Sequence, residues 1–249
     1  MSPTRKIAYT ILLISFIAFK SLGQKRDTIL VEFNSKILNS SIFEPYTNKW
    51  KVTFMSLDGK QSPNRIWTDY SQILNIGDKS YLLRVQDLYS PEMKLQNTWI
   101  NRVELPSLKP IHFSTFTPSG GFSFFEFSDE IIYSCSNLNK EHQIRHDTTS
   151  IDGGAYDWNL YGILLAALPF NQNKVYQIPY FDTNVLEVKN LFAYVNGAET
   201  VLKLDGKKVD TWKIVTNKNL VFWLTKSPPY VIKLELDVPG KGKLVWDLY

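Results

Sequence analysis

The stretch Tyr230-Val231-Ile232-Lys233-Leu234-Glu235-Leu236 decides the fold. Tyr230, Ile232, Leu234 and Leu236 fall on one side, and Lys233 and Glu235 on the other. A period of two places side chains on opposite faces of a pleated strand, one packed and one wet. Lys243 to Tyr249 repeats the pattern, with Leu244, Trp246 and Leu248 opposite Lys243 and Asp247. Leu220-Val221-Phe222-Trp223-Leu224 is apolar on both sides and predicts a central strand covered on both faces.

Further from this centre, strand-like runs recur with turn signals between them. Thr28 to Phe33, Trp50 to Met55, Tyr81 to Leu88, Thr98 to Leu105, Ile111 to Thr117, Gly121 to Phe127 and Gln143 to Thr148 are rich in aromatic and β-branched residues. Leu57-Asp58-Gly59, Ile76-Gly77-Asp78 and Pro118-Ser119-Gly120 divide them. Asn196-Gly197 and Asp205-Gly206 read as hairpin turns on either side of Ala198 to Leu204, because both positions of such pairs accept φ > 0. One segment breaks the pattern. Trp158 to Leu168 reads as a short buried helix, with Asp157 as its N-cap and Pro169 as its stop. The expected fold is all-β and mainly antiparallel, a curved sheet or half-barrel with one short buried helix near 158–168.

The N-terminus gives the compartment. Arg5 and Lys6 precede an apolar run from Ile7 to Phe19, and Ser21-Leu22-Gly23 follows. That is the layout of an export signal cut after Gly23, with a core too short to span a bilayer with ease. The expectation is a signal peptide over 1–23 and a single β-rich domain over 24–249, periplasmic or secreted, with no stable transmembrane segment after cleavage. No Cys follows the apolar run, so the chain is not read as a lipoprotein. The formal charge of +4 includes Arg5, Lys6 and Lys20, so the remainder is near neutral. A nucleic-acid partner, which needs clustered Lys and Arg, is not expected. Cys135 is the sole cysteine and reads as a buried, inert thiol.

The order of elements in the second half carries a resemblance. Leu164-Leu165-Ala166-Ala167-Leu168-Pro169-Phe170 is followed by Val175-Tyr176-Gln177-Ile178-Pro179, Val195-Asn196-Gly197-Ala198-Glu199-Thr200-Val201, Thr211-Trp212-Lys213-Ile214 and Phe222-Trp223-Leu224. Over roughly residues 80–249 this resembles an uncharacterised family of secreted β-rich bacterial domains of unknown function. Their architecture is similar to that of periplasmic lipoprotein carriers of the LolA/LolB type. The resemblance implies a curved antiparallel sheet with helix in its concave face and room for a pocket. It implies no catalytic residues.

Candidate chemistry is sparse. His142 and His146 lie four apart beside Asp147, but a metal site needs a third ligand, and they read as surface residues of a polar strand. Gly121-Phe122-Ser123 lacks the second glycine of a nucleophile elbow. A Ser-His-Asp set assembled from distant residues stays open, with His112, His142 or His146 as its base. No catalytic residue, metal or cofactor is expected. Trp212, Phe222, Trp223, Tyr230 and Trp246 sit on consecutive strands, and with Leu164, Leu165 and Leu168 of the helix they form either an ordinary core or the lining of an apolar cavity. The functional expectation is a non-enzymatic envelope protein binding an apolar small molecule or lipid-like group. The alternatives are a structural or interaction module that contacts an envelope protein, and a secreted hydrolase.

Overall fold

The computed structural model describes residues 27–33, 35–137 and 143–249. The expected export signal over 1–23 and His142 lie outside the described residues. The first strands in chain order are β1 (Asp27–Leu30), β2 (Tyr46–Ser56), β3 (Arg65–Ile76), β4 (Lys79–Tyr89), β5 (Leu95–Leu105), β6 (Lys109–Phe116), β7 (Phe122–Phe127) and β8 (Ile131–Ser136). Then follow β9 (Arg145–Ser150), β10 (Tyr156–Asp157), β11 (Lys174–Asp182), β12 (Glu187–Leu202), β13 (Lys208–Thr216), β14 (Leu220–Leu224), β15 (Val231–Val238) and β16 (Gly242–Leu248). One α-helix, α1 (Tyr161–Ala167), lies between β10 and β11. The protein is all-β, with one large, mainly antiparallel sheet that does not close.

Two meanders make the sheet, β2 through β9 and β11 through β16. They join where β16 pairs with β2, Gly242 opposite Ser56 and Leu248 opposite Trp50. β1 and β10 add to β11 in parallel. At the open seam, side chains take the place of backbone hydrogen bonds. Phe181 of β11 packs on Phe125 and Phe127 of β7, with ring centroids 6.0 and 6.2 Å apart. Because the pairing is antiparallel, the turns after β2, β4, β6, β11, β13 and β15 share one end of the sheet. Those after β3, β5, β7, β12 and β14 share the other.

The helix fills the concavity. Asp157 Oδ1 accepts from the Asn159 N–H at 2.9 Å and caps a 3-10 turn, Trp158–Leu160, which leads into α1. Every residue of α1 is buried, against β14 and β15. Its first end lies by the β11–β12 turn, where Trp158 Nε1 donates to Thr183 Oγ1 at 3.0 Å. Its last end lies by the β14–β15 turn, where Lys226 Nζ donates to the carbonyls of Ala166 and Leu168. A cation at this position satisfies carbonyls that have no partner within the helix.

Three readings are corrected. Asn196-Gly197 is not a hairpin turn: β12 runs through it, and the pair forms a bulge where the register with β13 shifts between Val195 and Gly197. The glycine is needed there because its φ is +137°. The signal for φ > 0 was real, but a bulge uses it as readily as a turn. β3 was missed because its inward positions include Asp69 and Ser71, so no apolar alternation marks it. The thiol expected to be buried is not: Cys135 is half-buried on β8, a strand that the sequence pattern does not mark, opposite Phe124.

Candidate functional site

A cavity of about 290 Å3 lies between the helix and the two meanders. Leu220, Phe222, Val231, Leu234, Leu236 and Trp246 form one wall. Trp50, Trp67, Arg84 and Gln86, on the next strands of the same sheet, form the adjoining wall, and Trp158, Asn159, Tyr161 and Gly162 cover it. Inward-facing alternation supplies Leu220, Phe222, Leu234, Leu236 and Trp246, as the sequence pattern requires. The β14–β15 register shifts between Trp223 and Leu224, however, and Val231 rather than Ile232 lines the cavity. Trp67 stacks on Trp99 with centroids 4.6 Å apart, and Trp246 meets Trp67 edge-on at 6.3 Å. These contacts hold the three rings against one another.

One side is polar. Asp69 of β3 and Arg84 of β4 form a buried ion pair. Arg84 Nε donates to both carboxylate oxygens at 2.9 and 3.0 Å, and a terminal guanidinium nitrogen donates to one of them at 2.5 Å. The other terminal nitrogen donates to the Asn159 carbonyl at 2.7 Å. Tyr46 O–H donates to Asp69 at 3.2 Å. Burial disfavours a charged guanidinium, and the adjoining Asp69 and Tyr46 more than offset it. Burial likewise pushes the Tyr46 hydroxyl far up. Next to this pair, Asn159 Nδ2 donates to Asn101 Oδ1 at 2.9 Å, and Asn101 Nδ2 donates to Asp157. Burial pushes the Asp157 carboxyl up to about 7, against the pull of the Asn159 N–H, Arg84 and Asn101. The network is self-satisfied: it shapes and orients the wall without presenting a free charge.

Of the residues that the sequence pattern nominated, Phe222 and Trp246 line this cavity. Leu164 and Leu165 on the helix, and Leu168 just after it, are fully buried in the core, away from the cavity. Trp212 packs on Phe170 at 5.5 Å. Tyr230 anchors the segment before β2: its hydroxyl donates to the Ile42 carbonyl at 2.7 Å and accepts from the Glu44 N–H at 2.8 Å. Trp223 is the clearest correction. As the neighbour of Phe222 it points to the outer face, held between Lys213 and Lys233, each 4.9 Å from its ring. The sequence reading missed Trp50, Trp67, Arg84, Gln86 and Asn159. Leu82, Arg84 and Gln86 alternate on β4, as Trp99 and Asn101 do on β5, and that polar-among-apolar pattern was the available signal.

Gly162 has a packing role. A Cβ there would stand 2.7 Å from Val231 Cγ2. Gly162→Ala gains about 1 kcal/mol of helix propensity but forces the helix off β15, at a cost of about 1–3 kcal/mol. A net loss of about 1 kcal/mol is expected from urea melts; a stabilised variant refutes the close approach.

Other candidates lie elsewhere. His112 Nδ1 faces Glu126 at 2.5 Å on the outer face of β6 and β7, and Asp147 pairs with Arg145. Ser123 sits within β7, paired with Thr115 and Ser136, not on a turn into a helix. Among the described residues no group of three His, Cys, Asp or Glu could hold a metal ion, and no helix is long and apolar enough to cross a membrane.

Comparison with known proteins finds a family match over residues 80–246, to DUF3108, described as a protein of unknown function. The span includes β4 to β15 and most of β16, and so most of the cavity wall, but not Trp50 or Trp67. A solved structure, a β-barrel-like protein of domain of unknown function DUF1849 from Brucella abortus, is similar at a TM-score of 0.47 and 11% identity, over 86% of this chain and 97% of that one. No functionally curated protein matches.

Proposed function

We propose that this chain, which belongs to the DUF3108 family, is an exported envelope protein that binds an apolar small molecule or acyl group, without catalysis, in the cavity between helix and sheet. The carrying observation is a cavity lined by tryptophans of three neighbouring strands, with a polar side whose charges already neutralise each other. Such a site offers apolar burial and little for a charged ligand to gain. At about 30 Å3 per water-sized group, the cavity takes on the order of ten such groups, the size of a short acyl chain or a fused ring pair. Removing about 200 Å2 of apolar ligand surface from water supplies about 5 kcal/mol before association entropy is subtracted, so binding is expected to be weak to moderate. The likeness to periplasmic lipoprotein carriers belongs to this reading, as an analogy of architecture. Export rests on the residues over 1–23.

The test uses 1-aminonaphthalene, a neutral fluorescent probe the size of a fused ring pair. The wild-type protein is expected to bind it saturably, at one site. Leu234→Trp adds volume inside the cavity and should lower affinity about tenfold or more, with an unchanged melting temperature. Native mass spectrometry of protein taken from its own exported fraction should then show a mass that leaves on denaturation. Absence of saturable binding sinks the reading and favours an interaction module of the envelope.

A further inference from the structure

We propose that the outer face of β4 to β8 packs on the same face of a second copy of this chain, about a two-fold axis that runs along β6. Leu82, Val103, Phe113 and Phe125 point into the core, so their neighbours Leu83, Arg102, His112 and Phe124 point out. The outer side of an antiparallel sheet is ordinarily polar. On β15 and β16 it is: Lys233, Glu235 and Lys243 pair with one another there. On β4 to β8 it is not. The Phe124 ring lies 5.3 and 5.0 Å from those of Phe116 and Phe122, and half-buried Leu83, Val85 and Ile100 extend the apolar surface toward β4.

The strand register sets these residues in rows that run from β4 to β8. One row is Leu83, Arg102, His112, Glu126 and Tyr133, and the next is Val85, Ile100, Ser114, Phe124 and Cys135. A depression of about 280 Å3 lies among Leu83, Ile100, Arg102, His112 and Glu126. Tyr133, opposite Glu126 on β8, stands 55% exposed. Rotation about β6 lays β5 on the second copy's β7 and β4 on its β8, at the same height along the strands. Arg102 then faces Glu126 of the second copy, and Ile100 faces its Phe124. Tyr133 of the second copy comes down over Leu83, into the depression. Each row complements itself, as an isologous interface requires.

Arg102 gives a separate reason. Its Nε is buried with no hydrogen-bond partner, a cost to the fold that nothing within the chain offsets. Charge-assisted bonds from its terminal nitrogens to the second copy's Glu126 would offset it. The Glu126 side chain is 58% exposed beside His112 and open to a further donor. Five strands at about 4.8 Å spacing and two rows of side chains make a contact on the order of 500 Å2 per copy. That is at the low end for a specific interface, so a micromolar dimer is expected. The face lies on the other side of the sheet from the cavity, and the inference does not rest on the cavity reading.

Sedimentation velocity of the exported chain tests it. The wild type is expected to pass from monomer to dimer between about 1 and 100 μM. Arg102→Glu and Glu126→Arg should each weaken association at least tenfold, because each sets like charges face to face at two places. The double variant exchanges the charges and should restore the dimer. Both side chains point outward, so the melting temperatures should stay close to that of the wild type. Val85→Cys maps the geometry. Its thiol should be cross-linked to Cys135 of the second copy by a short bismaleimide, across sheets about 10 Å apart. The wild type should not be cross-linked, since its two Cys135 thiols stand four strand spacings, about 19 Å, apart. The inference is overturned if the chain stays monomeric at about 100 μM, if Arg102→Glu leaves the dimer intact, if the double variant does not restore it, or if Val85→Cys gives no cross-linked dimer.

Discussion

Arg84→Met is expected to destabilise the protein by about 3–5 kcal/mol, the usual cost of leaving one member of a buried ion pair without its partner. The side chains of Arg84 and Asp69 are 7% and 1% exposed, so water can replace little of what is lost. The substitution also frees the Asn159 carbonyl, and Asp69 keeps only the Tyr46 hydroxyl as a donor. Asp69→Leu combined with Arg84→Met should recover much of the loss, because burying neither charge removes the desolvation penalty. Guanidinium melts of the two single variants and the double give the coupling directly. A single-variant cost below about 1 kcal/mol, typical of exposed pairs, would show that water reaches the pair.

Stability should fall as pH rises from 4 to 8, and Asp157→Asn should flatten that fall. Asp157 is 1% exposed, and burial lifts its carboxyl from 3.8 to about 7. A raised folded value means that the native state binds a proton the unfolded chain has released. The contribution is complete below pH 4 and is lost as pH climbs through 7. Three units correspond to about 4 kcal/mol at most. The readout is the difference in slope between wild type and variant across pH 4 to 8, not stability at one pH, since Asn replaces an acceptor facing Asn101. Equal slopes would mean that Asp157 stays ionised throughout. Because Asp157 caps the turn bearing Trp158 and Asn159, its ionisation bears on the cover of the cavity as well as on the fold.

The sequence made the architecture legible wherever one face of a strand is apolar. β16 follows the alternation, and β15 follows it from Lys233 on, after a bulge that brings Val231 rather than Ile232 to the cavity. The helix between Asp157 and Pro169 appears where its cap and stop predict. The concave face of β3, β4 and β5 was not legible. Its Asp69, Arg84, Gln86 and Asn101 face inward, yet single polar letters in a strand read as a solvent face. Their partners Asp157 and Asn159 lie more than 50 positions downstream of Asn101, so only the folded register brings them together. Fold readings rest on local periodicity, and this site is a long-range object. Trp223 shows the limit from the other side: an aromatic among aromatics, it lies on the outer face by one step of alternation.

The pairing of β16 with β2 also sets the order in which the molecule can assemble. Each meander needs only neighbouring hairpins, whose closure spans a few residues and is fast. Their union brings Lys49 to Tyr249 and Trp50 to Leu248, across nearly the whole described chain, and must pay the loop entropy of that separation first. High contact order of this kind slows folding. Until β16 arrives, β2 and β15 both present bare edges, the state most open to pairing with another copy. On a chain made from the N-terminus, that interval lasts until β16 has been made, and a holdase acting before then would have the greatest effect on yield.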